Sequence, residues 1–149
     1  MIKIEEIRKR QKLNIIDRII IKNKKKFNNK TGMCKVISNY ISCDLIEDSV
    51  NNKIINTKDL GFNYEHEFVL VKLDLENIVI IDLTFEQFVK NDLNFYEELP
   101  FEKLIKTERG KVIAYSILKK GYSILHVDEL KNFVEIFSIK KLALNIDKC

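Results

Sequence analysis

The chain has 149 residues, 46% hydrophobic and 32% charged, with a formal net charge of +4 at pH 7. That balance excludes a disordered chain, and 1 Pro with 4 Gly excludes collagen-like sequence and long flexible linkers. One domain spanning 1–149, long enough for a real core, is expected.

No sequence period of a solenoid kind is present. No apolar run approaches the roughly 20 residues of a membrane span. Residues Met1 to Arg10 lack the apolar core of a secretory signal. The expected location is therefore the cytoplasm, or a target cell into which the protein is delivered.

Residues 2 to about 21 carry Leu13, Ile15, Ile16, Ile19 and Ile20 at helical spacing. They predict one or two helices, with residues 1–27 forming a basic N-terminal brace. The run Lys22-Asn23-Lys24-Lys25-Lys26 ends it, and basic side chains there suit the negative end of the helix dipole. Docking of an acidic partner or anionic surface is the alternative use. The basic residues are not interleaved with aromatics and no nucleic-acid motif is present, so nucleic acid is not an expected partner.

Residues 28–46 hold the first chemical signal. Asn28-Asn29-Lys30-Thr31-Gly32 reads as a loop with N-cap candidates. From Met33, the positions Val36, Ile37, Tyr40, Ile41 and Leu45 predict a helix with one buried face. Cys34 then falls in the first turn, where free backbone N–H groups and the positive dipole end favour a thiolate. The plainer reading of a free cysteine is a small buried hydrophobe, and Cys43, deeper in the helix, fits it better. Nine residues of helix put Cys34 and Cys43 about 180° apart, so they cannot bridge each other. With Cys149 the cysteines number 3, an odd and sparse set that fits free thiols in a reducing compartment.

Residues 47–65 read as an irregular connection, with a short strand or helix around Ile54-Ile55 and the remainder bordering a cleft over Cys34. Residues 66–83 predict a β-hairpin. His66, Phe68, Leu70 and Lys72 share one strand face, and Ile78, Ile80 and Asp82 share one face of the next. A turn about Asp74 pairs 70 with 78, 68 with 80 and 66 with 82. His66 and Asp82 then oppose each other with Cβ atoms roughly 5 Å apart. A slip of one in the pair sum would separate them onto opposite faces. Asp82 follows an apolar run into a buried end, where a carboxylate needs a partner.

Residues 84–100 read as loop with local helix whose aromatics seal the core. Lys111 to Lys120 is predicted helical with Gly121 as its stop. Tyr122 to Leu125 is a strand candidate, and Asp128 caps a last helix carrying Leu130, Phe133, Val134 and Phe137. His126, two residues from Asp128, is taken as structural. Two histidines and three scattered cysteines give no ligand spacing, so neither a metal nor another cofactor is expected.

Gly32-Met33-Cys34 at a helix start, His66-Glu67-Phe68-Val69-Leu70-Val71, and Ile80-Ile81-Asp82-Leu83-Thr84 together resemble the papain-like and transglutaminase-like thiol superfamily. His66 follows Cys34 by 32 residues and Asp82 follows His66 by 16, spacings similar to those of its compact bacterial toxins, effector proteases and protein-glutamine deamidases. The segment Asp82 to Phe88 is also similar to the stretch beginning at the aspartate in those proteins. The resemblance spans residues 28–88. Lys35 after Cys34, and Glu67-Phe68 after His66, depart from the aromatic neighbours usual in transglutaminases, which turns the resemblance toward the toxin and deamidase branch.

The resemblance implies an α+β fold: a nucleophile helix on a small antiparallel sheet (28–88), a helical N-terminal addition and a helical C-terminal part (89–149). It implies Cys34 as nucleophile, His66 as base and Asp82 as orienter. It also implies an oxyanion donor at Asn28 or Asn29, which otherwise read as loop asparagines. The expected function is a thiol-dependent hydrolase acting on a protein or peptide amide, by glutamine deamidation or peptide cleavage, as in a bacterial effector. The alternative is a catalytically inactive papain-like binding, immunity or adaptor module. The triad does not distinguish deamidase from protease or transglutaminase, and oligomeric state is not legible in the sequence.

Overall fold

A computed structural model describes residues 3–27, 33–60, 65–85, 89–90, 94–95, 107–126 and 128–129. Among the described residues it is an α+β arrangement of three α-helices, a four-stranded antiparallel sheet and a short two-stranded ribbon. Among the described residues no helix is long and apolar enough to cross a membrane.

Helix α1 (Ile4–Lys26) is one helix and runs through the lysines at which the sequence predicts an end. Glu5 and Glu6 lie in its first turn and Lys24, Lys25 and Lys26 in its last, so the charges complement the dipole at both ends. Its buried residues, Ile16, Ile19, Ile20 and Asn23, follow the i, i+3, i+4, i+7 spacing of one helix face. Toward its N-terminus α1 reaches over the hairpin turn. Lys12 Nζ donates to the Lys72 carbonyl at 3.2 Å, and Lys9 pairs with Asp74 at 3.3 Å.

Helix α2 (Cys34–Glu47) buries Ile37, Ile41 and Leu45, while Val36 and Tyr40, expected on the same face, are exposed. Cys43 is exposed too, contrary to its reading as a buried hydrophobe. It lies two residues past Ile41, about 200° around the helix and away from the core. Asn23 Nδ2 and Lys22 Nζ both reach Asp44, at 3.1 Å each, and join α1 to α2.

The sheet order is β1 (Asn52–Asn56), β2 (Glu67–Lys72), β3 (Asn77–Ile81), β6 (Tyr122–His126), each neighbour antiparallel. In the connection over 47–65, the strand or helix expected around Ile54-Ile55 is strand β1, followed by a 3-10 turn at Thr57–Leu60. Its hydrogen bonds to β2 satisfy backbone that an irregular loop would leave to water. Past Phe85, where loop with local helix is expected, the described residues form the ribbon β4 (Val89–Lys90) and β5 (Asn94–Phe95). Helix α3 (Glu108–Lys120) starts at Thr107, whose hydroxyl accepts the Gly110 N–H at 2.9 Å, and stops at Gly121 as expected. β6, from the C-terminal part, pairs with β3 along its length, so the sheet extends beyond residues 28–88. Asp128 and Glu129 are helical, and the rest of the expected last helix lies outside the described residues.

Ile54, Val69, Val71, Val79, Ile81, Tyr122 and Ile124 form one sheet face and pack with the apolar sides of α1 and α2. The other face carries Phe68, Leu70, Ile78, Ile80 and Leu125, which are also buried. Helix α3 lies against β6 and buries Ile113, Ala114 and Ile117.

The hairpin register differs from expectation. Leu70 pairs with Ile80 and Val71 with Val79, so the turn centres on Leu75 and not Asp74. The cause is the Asp74 side chain. Its Oδ1 accepts the Glu76 N–H at 2.8 Å and the Asn77 N–H at 2.7 Å, and the Leu73 N–H closes the turn on the Asn77 carbonyl at 3.0 Å. Asp74→Ala removes the acceptor of two backbone donors. It should cost about 1–2 kcal/mol, read as a lower urea midpoint at unchanged slope.

Candidate active site

A register moved by two keeps every side chain on its face, whereas a move of one would not. His66, just before β2, and Asp82, just after β3, therefore remain on one face, as diagonal neighbours and not directly opposed. The diagonal is within reach of an imidazole. His66 Nε2 lies 2.6 Å from Asp82 Oδ2. His66 is 0% exposed and Asp82 5%, so the contact is out of water. The Phe68 ring, next on the same face, lies 6.2 Å from the imidazole, centroid to centroid.

Asp82 is held from three directions. Its N–H donates to the Gly121 carbonyl at 2.9 Å, across to the residue that ends α3. Its Oδ1 accepts the Thr84 N–H at 3.1 Å and the Thr84 hydroxyl at 3.2 Å. In the sequence Thr84 stands out only as part of a motif. Asp-x-Thr after a strand is an aspartate turn pattern, and that signal could have singled it out.

Cys34 is the first residue of α2 and is partly exposed. The first α2 bond runs from the Ile37 N–H to the Met33 carbonyl at 2.9 Å, so the N–H groups of Cys34, Lys35 and Val36 precede the helical ladder. Two serines on the buried side fix the helix. Ser38 Oγ donates to the Glu67 carbonyl at 3.2 Å, and Ser42 Oγ to Asn52 Oδ1 at 2.6 Å. This docking sets the Cys34 thiol beside His66 and the Glu67 backbone, close enough for both to lower its pKa. Nε2 of the ring is engaged by Asp82, and the buried Nδ1 makes no hydrogen bond to the sulfur.

The electrostatics arise from this geometry. The neighbouring His66 imidazole holds the Cys34 thiol below its ordinary value, helped by the Glu67 backbone and opposed by partial burial and the Asp82 charge. Burial alone would lower the His66 pKa. The charge and hydrogen bond of Asp82, together with Cys34, outweigh it and push His66 up to about 9. Both shifts favour a thiolate beside an imidazolium.

Beside the sulfur, Lys35 forms an ion pair with Glu65, and Lys58 lies 3.5 Å from the same carboxylate. Asn56 Nδ2 donates to Glu65 at 3.1 Å and Glu67 at 3.2 Å. Lys35 and Asn56 hold the Glu65 carboxyl down to about 2. The pair links the residue after Cys34 to the residue before His66. In the sequence Lys35 stands out only as a departure from an aromatic.

Asn28 and Asn29, the implied oxyanion donors, lie outside the described residues. His126 pairs with Asn77, at the opposite end of β3 from Asp82, and contacts Asp128 at 3.5 Å, far from Cys34 along the sheet. No family model, curated protein or solved structure matches the chain.

Proposed function

We propose that the protein is a thiol-dependent acyl-transfer hydrolase acting on a protein or peptide amide, with Cys34 as nucleophile. The observation that carries the reading is the buried His66–Asp82 contact at 2.6 Å, with the Cys34 thiol at the mouth of α2 near enough to the imidazole to be held below its ordinary value. Cysteine at a helix start, with histidine and aspartate at the adjoining ends of paired antiparallel strands, is similar to the papain-like arrangement, and that likeness supports the same chemistry.

In the proposed reaction the Cys34 thiolate attacks the amide carbonyl carbon. The carbonyl π electrons move to oxygen, where the Cys34 N–H and an amide of Asn28 or Asn29 stabilise the charge, by about 3 kcal/mol per donor. The intermediate collapses as His66 gives its proton to the departing nitrogen, which leaves as an amine or as ammonia. Asp82 fixes the imidazole orientation and stabilises its cation throughout. Water then gives a proton to His66 and its oxygen to the thioester, releasing the acid and restoring the thiolate–imidazolium pair. A glutamine side chain would yield glutamate and ammonia, and a peptide bond would yield two chains. No cofactor enters either route.

The test is a screen of candidate protein and peptide substrates by mass spectrometry, wild type against Cys34→Ala. A glutamine gain of about 1 Da or a new chain end that depends on Cys34 is the expected result. Binding of a protein partner with equal strength by wild type and Cys34→Ala, and no substrate change, would move the assignment to a papain-like binding or adaptor module.

A further inference from the structure

We propose that Thr84 is the positioning residue of this site, its hydroxyl fixing Asp82 Oδ1 so that Oδ2 is presented to His66. The inference rests on the thiol-hydrolase reading. Asp82 lies one residue beyond β3, where its own N–H bond to Gly121 anchors the backbone but leaves the side-chain torsions open. Among the described residues, the two Thr84 donors, at 3.1 and 3.2 Å, and His66, at 2.6 Å, set those torsions.

The surroundings give the carboxylate somewhere else to go. A cavity of about 160 Å³ borders Asp82, walled by Leu83, Phe85, Ile117 and Gly121, and Lys24 lines the same space. A carboxylate released on its Oδ1 side has room to turn and a cation to turn toward. Thr84 is 2% exposed, so water does not replace its hydroxyl readily. Valine there keeps the shape and the backbone N–H bond and removes the hydroxyl alone. Serine keeps the hydroxyl. With Asp82 turned away, the imidazolium loses its counter-charge, and the thiolate beside it is lost in turn.

The readout is the rate of Cys34 alkylation by iodoacetamide, separated from Cys43 and Cys149 by peptide mass mapping, between about pH 5 and 10. Wild type, Thr84→Val, Thr84→Ser and His66→Gln are compared, each with a thermal melt. Thr84→Val should slow the reaction at about pH 6 by about tenfold and move the profile to higher pH. Thr84→Ser should restore it. Above the ordinary thiol value of 9.0 the variants should react alike, a convergence that general loosening of the fold would not give.

A Thr84→Val profile superimposed on wild type, while His66→Gln shifts it, overturns the positioning role and leaves the hydrolase reading standing. A wild-type profile at the ordinary thiol value and indifferent to His66→Gln overturns the hydrolase reading itself. Should Thr84→Val not fold, Thr84→Ala removes the same hydroxyl. If neither melts cooperatively, Thr84 holds the fold and not the carboxylate, and the inference fails.

Discussion

His66→Gln should lower turnover at neutral pH by about 10²- to 10⁴-fold, the usual contribution of a positioned general acid–base group. Glutamine is the informative replacement. Its amide N–H can still meet Asp82 Oδ2, which now accepts from His66 at 2.6 Å, so the buried carboxylate is not stranded. What it removes is a titrating ring. The same variant should lose the enhanced alkylation of Cys34 at acidic to neutral pH, because His66 does most to hold the thiol below its ordinary value.

The pH dependence separates the two roles. The lowered Cys34 value means that the thiolate persists as pH falls below 9.0, so alkylation should extend into a range where an ordinary thiol is silent. In the proposed reaction the leaving nitrogen takes its proton from His66, and the raised His66 value means that this proton is present below about 9 and lost above it. Turnover should therefore fall as pH rises through about 9, while alkylation should not. Parallel loss of both on the alkaline side would show that His66 is not the proton donor.

Gly121 is where the largest stability effect is expected. Its φ is +86°, in the left-handed region, and a Cβ there would stand 2.6 Å from Leu83 Cδ2 and 3.1 Å from Ile20 Cγ2. Backbone strain costs about 1–2 kcal/mol, and forcing extra volume into a packed core adds about 1–3 kcal/mol. Gly121→Ala should thus lose about 2–5 kcal/mol of unfolding free energy, seen as a lower urea midpoint and melting temperature. The effect should reach the site. Leu83 is next to Asp82 in sequence, and the Gly121 carbonyl accepts the Asp82 N–H at 2.9 Å. Displacement of that carbonyl should weaken the His66–Asp82 contact and slow Cys34 alkylation at neutral pH. A variant as stable as wild type would mean that α1, the end of α3 and the Asp82 turn are not packed as described.

Much of this is readable in the chain. The start of α2 at Cys34, the stop of α3 at Gly121 and the strand of Tyr122 to Leu125 all rest on local signals: a polar loop before an apolar period, a glycine after one, a β-rich run. The face shared by His66 and Asp82 is readable for the same reason. Other features give little signal. Cys43 carries the composition of a buried residue, yet α2 turns it outward because Ile37, Ile41 and Leu45 decide which face the core takes. The residues of β1 are Asn-Lys-Ile-Ile-Asn, polar at both ends; Ile54-Ile55 reads as either strand or helix, and β2 decides for strand by supplying hydrogen-bond partners along its length.

By itself the sequence determined the two-residue alternation that keeps His66 and Asp82 on one side, and the helix start that exposes N–H groups near Cys34. Alternation and helix ends come from covalent geometry and a few neighbouring residues, so they survive whatever the rest of the chain does. The tertiary structure decided how far apart those two residues stand, which way α2 is laid on the sheet, and that Thr84 grips the free carboxylate oxygen. Those outcomes depend on the Asp74 turn closing on Asn77, on serine contacts from α2 to β1 and β2, and on packing beside Gly121. Each joins groups that the local periodicity of the chain leaves unrelated, and so only folding can set them.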